Sequence, residues 1–429
     1  MNFEEHLEKY LSKDQIEDLL NSLDKMATHA LIVNTNKIDD SFLLERFPNI
    51  KPHPVVPHCY LYDNNEYPLG KHVYFEQGLY YLFEPCSSLI AHFLKPEKDD
   101  VILDCAAAPG GKALHTAILK ENEGIVVANE ISRDRSLILS SNVERMGLKN
   151  VIVTNCSLDD FSSFEESFDK IILDAPCSGS GMFRKEDKMK EDWTYQKVLS
   201  LAELQKELIL KAYSLLKPGG ILSYSTCSFS YEEDEEVVKY LLDNSDALLE
   251  DLPSSPSFYQ SESKIGIHLF PNLFIGEGHY LCLIKKPGTL IKSSIKEHKE
   301  DKYAQELKKE FNLKGYIYSF ENIYYMLSQY FDFKKLKVLR GGLKLGTLEK
   351  YGFDLDHALS HYLVDYKNSV ELTKDEVTKY IQGNMMNLDC KDGYVIIEYD
   401  GNGLGLGKAK NKKVNNKYPK GLRKNQIVL

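Results

Sequence analysis

Tryptophan is nearly missing from this chain, with a single residue at Trp193, and no apolar run approaches the roughly 18 to 20 residues that cross a bilayer. No membrane partner is therefore expected. The opening Met1-Asn-Phe-Glu-Glu-His6 has neither a basic leader nor an apolar stretch, which points to the cytoplasm. Cys-x-x-Cys pairs are also missing, although there are eight cysteines, so neither a zinc ribbon nor a disulfide framework is indicated and no metal is expected. An excess of positive charge is lacking too, since the formal net charge is -11. That total argues against a nucleic-acid partner, but association follows local potential. From Gly401 to Leu429 the chain carries Lys408, Lys410, Lys412, Lys413, Lys417, Lys420, Arg423 and Lys424 with no Asp or Glu. Such a tail holds phosphates or is simply solvated.

With 429 residues the chain exceeds what one hydrophobic core organises, and several domains are expected. Residues 1–75 mix helical segments (Phe3 to Tyr10, Lys13 to Leu23) with a strand at Ala30 to Val33 and read as a small α/β accessory domain. From 76 to 287, buried strands alternate with helical stretches: Val101 to Asp104, Gly124 to Asn129, Val151 to Asn155, Lys170 to Leu173 and Gly220 to Tyr224. This alternation predicts a doubly wound parallel sheet. Residues 288–302, polar and charged after Pro287-Gly288, read as a linker. Short strands such as Lys337 to Leu339 and Tyr394 to Tyr399 then suggest an accessory domain at 303–365 and a second small unit at 366–429. No internal repeat is evident.

In open α/β sheets ligands bind beyond the carboxyl ends of the strands, so the residues just after each strand carry the most information. The first such turn, Ala108-Pro109-Gly110-Gly111-Lys112, opens a helix, and its glycines admit a ligand close to backbone N–H groups. It is neither the Gly-x-Gly-x-x-Gly of dinucleotide enzymes nor a P-loop. Glu130 follows the second strand, where a carboxylate accepts from both hydroxyls of a ribose or caps the next helix. The combination favours an adenosyl cofactor without a pyrophosphate. Cys177, in Asp174-Ala-Pro-Cys-Ser178, and Cys227, in Ser225-Thr-Cys-Ser228, each follow a buried strand. Thiols at strand ends beside a glycine turn suggest catalysis on a nucleotide-like cofactor.

The Ala-Pro-Gly-Gly-Lys, Asp-Ala-Pro-Cys-Ser and Ser-Thr-Cys-Ser blocks, in this order, resemble those of the Nol/Nop/Sun RNA cytosine methyltransferases. The likeness continues through Ser178 to Lys185, Leu216 to Gly220 and Gly276 to Tyr280. Toward the C-terminus, Gly383, Leu404 to Lys408 and Lys417 to Arg423 are similar to the accessory region of the bacterial small-subunit ribosomal RNA methyltransferase F branch. The resemblance implies a Rossmann-like S-adenosylmethionine-dependent core, a cytosine in RNA as acceptor, and a PUA-like RNA-binding region at 366–429. It further implies Cys227 as the nucleophile that adds to carbon 6, Cys177 as the aid to product release, Asp174 on the cytosine's polar edge and Lys112 as its electrostatic support. Ala106, Ala107, Ala108, Pro109, Gly110, Gly111, Lys112, Glu130, Arg135, Asn155 and Asp174 are then the expected cofactor contacts. Arg184, Lys185, Lys408, Lys417, Lys420 and Arg423 are the expected RNA contacts. Ribosomal RNA or a small-subunit particle is the expected partner of a monomer, with transfer RNA methylation or a non-catalytic assembly role as alternatives.

The chain departs from the family pattern at two places. Many relatives carry Asp after the third strand, whereas here the run is Thr154-Asn155-Cys156-Ser157, and Asn155 is the residue left to meet adenine. Phe83 stands where relatives often carry Gln. The acidic run Tyr231 to Glu236 reads as a helix start with Ser230 and Glu233 forming a capping box, not as a metal site. Trp193 reads as core, and His279 as packing or chemistry.

Overall fold

The protein is described by a computed structural model that covers residues 1–429 except 186, 294–297, 351 and 364–365. Its centre is a nine-stranded sheet. The parallel strands lie in the order Leu216–Thr226, Phe168–Asp174, Val101–Asp104, Ile125–Asn129 and Val151–Thr154. Chain order reverses beside Val101–Asp104, which creates a crevice at the carboxyl ends of that strand and of Phe168–Asp174. Both faces of the sheet are covered. Ile102, Val126, Ala128, Val151 and Val153 point into one apolar cluster, and Val101, Leu103, Ile125, Val127 and Ile152 into another. That division follows from the two-residue period of a strand, and it explains why these segments read as unbroken runs of β-branched and aliphatic residues.

Antiparallel strands finish both edges. His279–Lys285 pairs with Leu216–Thr226, and on the far side Val338–Gly341 pairs with Val151–Thr154. The second pairing corrects the expected domain plan, because the strand predicted near Lys337 belongs to the core sheet and not to a separate accessory unit. The rest of that region forms a four-stranded sheet from Tyr316–Phe320, Ile323–Leu327, Leu343–Glu349 and Gly352–Leu355. The first boundary also moves. Tyr80–Phe83 pairs with His29–Val33, so the N-terminal sheet runs past residue 75. The proposed linker at 288–302 and the boundary at 365 fall partly outside the described residues, but Lys292 is anchored by Glu97, Asp99 and Asp100.

The basic C-terminal segment is folded and not a tail. Gly393–Tyr399, Asn402–Lys410 and Lys413–Asn416 form antiparallel neighbours in a five-stranded sheet. This sheet shares one apolar cluster with the N-terminal domain, where Leu31, Val33 and Tyr80 meet Tyr380, Val395 and Val414. Gln77 Nε2 donates to the carbonyls of Tyr399 and Asn402 at 2.7 and 2.6 Å. The helices Phe3–Leu7 and Lys13–Leu23 instead pack on Phe183, Trp193 and Phe229, so Trp193 is core as expected.

Helix Arg133–Met146 ends at Gly147 in the left-handed conformation (φ 67°), and a Cβ there would stand 2.4 Å from the carbonyl oxygen of His361. Both constraints require glycine. Gly147→Ala is expected to lower the urea midpoint of unfolding, with a loss of about 1–3 kcal/mol, because strain and a steric clash act together. An unchanged midpoint would mean that the segment around His361 does not dock on the core as described.

Candidate active site

A cavity of about 500 Å³ opens at the topological crevice, within the usual range for a small-molecule cleft. Ala106, Ala108, Glu130, Arg135, Asp174, Cys177 and Cys227 are among the residues that line it. The glycine turn lies behind this wall. Gly110 has φ 129°, a conformation that favours glycine, and a Cβ on it would come within 2.9 Å of the Leu114 side chain on helix Gly111–Leu119. Ala107, Pro109, Gly110 and Gly111 thus form the turn without lining the cavity. Glu130 is buried; Ser132 N donates to its Oε1 at 2.8 Å, while Oε2 lies 3.3 Å from Arg135 Nη1 without forming a hydrogen bond. A buried carboxylate oxygen with spare accepting capacity suits a ribose hydroxyl, so the residues present fit an adenosyl group.

The register of the adjacent parallel strands sets Asp174 beside Ser225, and the chain then leaves both strands toward the same point. Cys177 Sγ and Cys227 Sγ stand 3.1 Å apart. Lys112 Nζ lies 2.8 Å from Asp174 Oδ2, and Ser225 Oγ donates to Asp174 Oδ1 at 2.8 Å. Burial opposes the charge on Asp174, but Lys112, His279 and the Ser225 hydrogen bond together overcome it and hold the carboxyl below its usual range. Lys112 is raised in turn: burial works against its charge, and Asp174 and Asp104 overcome that. The Cys177 thiol is pushed well above the usual range, first by its contact with the Cys227 sulfur and then by burial. Cys177 therefore keeps its proton near neutrality.

Several expected contacts are placed elsewhere. Asn155 does not line the cavity; its amide nitrogen donates to the carbonyls of Glu130 and Ile131, both at 2.9 Å, and its oxygen accepts from Lys337. It braces the Glu130 turn from behind, while Ile131, Cys156 and Leu158 form the adjoining wall. Arg184 is not free for phosphate, because its buried guanidinium donates to Glu277 at 2.8 Å and to the carbonyl oxygens of Gly276 and Ser22. Lys185 is exposed. Among the C-terminal cations, Lys417 pairs with Asp354, Arg423 packs against Gly383, and Lys408 and Lys420 face solvent. Phe83 packs near Gly111 and His115, where no polar contact is made. His279 is buried with Nδ1 3.4 Å from Glu84.

The capping box expected at Ser230 and Glu233 does not form. Helix Glu235–Asn244 starts later, with Asp234 at its N-cap position, and Glu233 turns inward to Ser178 and Ser228. Glu233 is fully buried, and both its oxygens are occupied by Ser178, Ser228 and Gln205 and not by the Ser230 backbone. The sequence reading also missed Asp104, whose Oδ2 is buried without a hydrogen-bond partner among the described residues. Its signal was an acid ending an otherwise apolar strand.

A Rossmann-like sheet with an adenosyl-sized crevice, no dinucleotide fingerprint and a glycine turn set behind the pocket wall defines an S-adenosylmethionine-dependent methyltransferase. Known proteins agree with that class. A family model described as 16S rRNA methyltransferase RsmB/F matches residues 91–285, one for the N-terminal domain of 16S rRNA methyltransferase RsmF matches 1–85, and one for the methyltransferase RsmF PUA domain matches 367–424. The ribosomal RNA small subunit methyltransferase F of Vibrio campbellii is 30% identical over 95% of this chain and 94% of its own. That of Aeromonas salmonicida is 32% identical over 91% and 90%. The chain belongs to the ribosomal RNA small subunit methyltransferase F family. Among solved structures, a methyltransferase homolog from Pyrococcus horikoshii superposes with a TM-score of 0.58 at 30% identity, covering 66% of this chain and 93% of that one. NSun6 from Pyrococcus horikoshii, solved with SFG, shares the fold with a TM-score of 0.60 at 24% identity, covering 67% and 98%.

Asp104 and Asp174 have opposite pH signatures. Burial raises Asp104 from 3.8 to about 7, so its ionisation opposes folding and stability falls as pH rises from about 4 to about 7. Asp174 is depressed, so its contribution is present above the usual 3.8 and is lost as pH falls through the lower folded value. In urea unfolding across a pH series, Asp104→Asn should flatten the decline toward neutrality, and Asp174→Asn should remove part of the acid-side loss. A decline between those pH values that is equally steep in Asp104→Asn would contradict the assignment.

Proposed function

We infer that the protein methylates carbon 5 of a cytosine in RNA through a covalent bond to Cys227, with small-subunit ribosomal RNA as substrate. The approach of two cysteine sulfurs to 3.1 Å, over the same cavity as Glu130 and Asp174, carries this reading. Carbon 5 of cytosine is too poor a nucleophile to attack a methyl sulfonium unaided. The Cys227 thiolate adds to carbon 6 and enriches carbon 5, which splits one hard step into two. Asp174, paired with Lys112, accepts a hydrogen bond from the polar edge of the ring and supports there the proton that offsets the negative charge left by addition. S-adenosylmethionine, when bound, supplies the electrophilic methyl group, and Ala106, Ala108 and Glu130 would hold it. After methylation the carbon 5 proton passes to water. The carbon 6–sulfur electron pair returns to Cys227, and the protonated Cys177 sits where it can neutralise that departing sulfur.

To expose one face of the ring, the target base must leave any helical stack. The C-terminal region supports the RNA through backbone contacts, with Lys408 on its sheet and Lys420 in the turn that follows among its exposed cations. The name of the curated relatives favours ribosomal RNA over transfer RNA. Retained thiols, acid and lysine in one cleft favour an enzyme over a cofactor-binding assembly factor.

With unmodified small-subunit RNA, Cys227→Ala should abolish both methyl incorporation and any protein–RNA adduct, whereas Cys177→Ala should let an adduct accumulate on denaturing gels. Equal adduct in the two variants would overturn the roles. Reversing Lys408 and Lys420 to Glu should weaken RNA binding and reduce the slope of log affinity against log salt by roughly 0.7 to 0.9 for each phosphate no longer neutralised, with cofactor affinity unchanged. An unaltered slope would remove this surface from the RNA path.

A further inference from the structure

Glu233 reaches both cysteine loops with one carboxylate. It is fully buried. Its Oε1 accepts from Ser178 N at 2.8 Å and from Gln205 Nε2 at 3.1 Å. Its Oε2 accepts from the hydroxyls of Ser178 and Ser228, the latter at 2.6 Å. Gln205, buried on helix Tyr195–Leu215, also donates to the Pro176 carbonyl at 2.8 Å. Glu233 and Gln205 therefore grip the residues on both sides of Cys177.

The two thiols do not depend on this clamp equally. Cys227 follows directly on a strand; its carbonyl accepts from Gly181 N at 2.7 Å, and the next residue, Ser228, is tied through its N–H to Thr226 Oγ1 at 3.0 Å. Cys177 lies in an irregular segment between Asp174 and the short turn Ser180–Met182. Without the clamp, Pro176 loses its side-chain anchor and Ser178 keeps only the 3.2 Å contact of its hydroxyl with that of Ser228, whereas Cys227 keeps its strand.

We propose that Glu233, supported by Gln205, is the positioning residue of product release, holding the Cys177 sulfur against that of Cys227 while nucleophilic addition proceeds without it. This rests on the addition–elimination reading above. In the assisted step the carbon 5–hydrogen pair forms the carbon 5–carbon 6 double bond as that proton passes to water, the carbon 6–sulfur bond breaks with its electron pair returning to the Cys227 sulfur, the proton of Cys177 moves onto that sulfur, and water reprotonates Cys177. Distance controls such a transfer, and a displacement of about 1 Å slows it by up to roughly a hundredfold.

The test follows protein–RNA adduct on denaturing gels alongside methyl turnover, with unmodified RNA and the full-length protein. Glu233→Ala and Gln205→Met should accumulate adduct, as Cys177→Ala does, with release slowed by roughly tenfold to a hundredfold. Glu233→Gln should restore release, because its amide oxygen can face the N–H donors while its amide nitrogen donates to the two hydroxyls. Adduct at the wild-type level in folded Glu233→Ala, or adduct and turnover falling together, would overturn the proposal. If Glu233→Ala fails to fold, Gln205→Met decides alone, since Gln205 touches neither sulfur. Adduct in Cys177→Ala but in neither clamp variant would reject the clamp alone. No adduct in Cys177→Ala, or turnover retained by Cys227→Ala, would instead reject the underlying chemistry.

Discussion

The parallel pairing of Phe168–Asp174 with Leu216–Thr226 is the constraint on which the rest depends. A register that sets Asp174 beside Ser225 sends both chains out of the sheet at the same level, so two cysteines distant in sequence meet sulfur to sulfur. Neither strand could slip by one residue without turning buried aliphatic side chains to the opposite face. The chemistry of the cleft is thereby tied to the packing of two apolar layers.

Around that meeting point the protein buries an unusual density of charge. Asp104 and Asp174 face Lys112, while Glu233 and Asp234 are buried together on the other side of the cysteines. Removing a carboxylate from water is costly unless donors or opposite charge surround it. The solutions differ. Asp174 has a lysine and stays ionised, Asp104 has a single backbone donor, from Ala106, and is raised toward neutrality, and Glu233 is met by four donors. Environment and not residue type thus separates the roles available to these acids.

The fold was legible where strands are buried on both faces, because unbroken aliphatic runs such as Val101 to Leu103 and Ile125 to Val127 leave a strong signal. The strand-end motifs around Cys177, Cys227 and Glu130 were legible as well, since short blocks keep their identity in one dimension. Reading failed where the outcome depended on a distant partner. Arg184 beside Lys185 resembles a basic patch in sequence, yet Glu277 draws it inside. Asn155 follows a strand as an adenine contact would, but two backbone carbonyls and Lys337 occupy its amide.

By itself, the sequence determined the class of sheet, the order of its strands along the chain and the chemical groups at their ends, because these follow from local periodicity and residue type. Tertiary structure alone decided that the last sheet shares a core with the first domain, that Val338–Gly341 completes the central sheet, and that Glu233 faces inward and not toward solvent. Each of those outcomes is a contact between segments far apart in the chain. Which partner a buried charge or an open strand edge finds is settled by packing geometry, which composition and spacing do not encode.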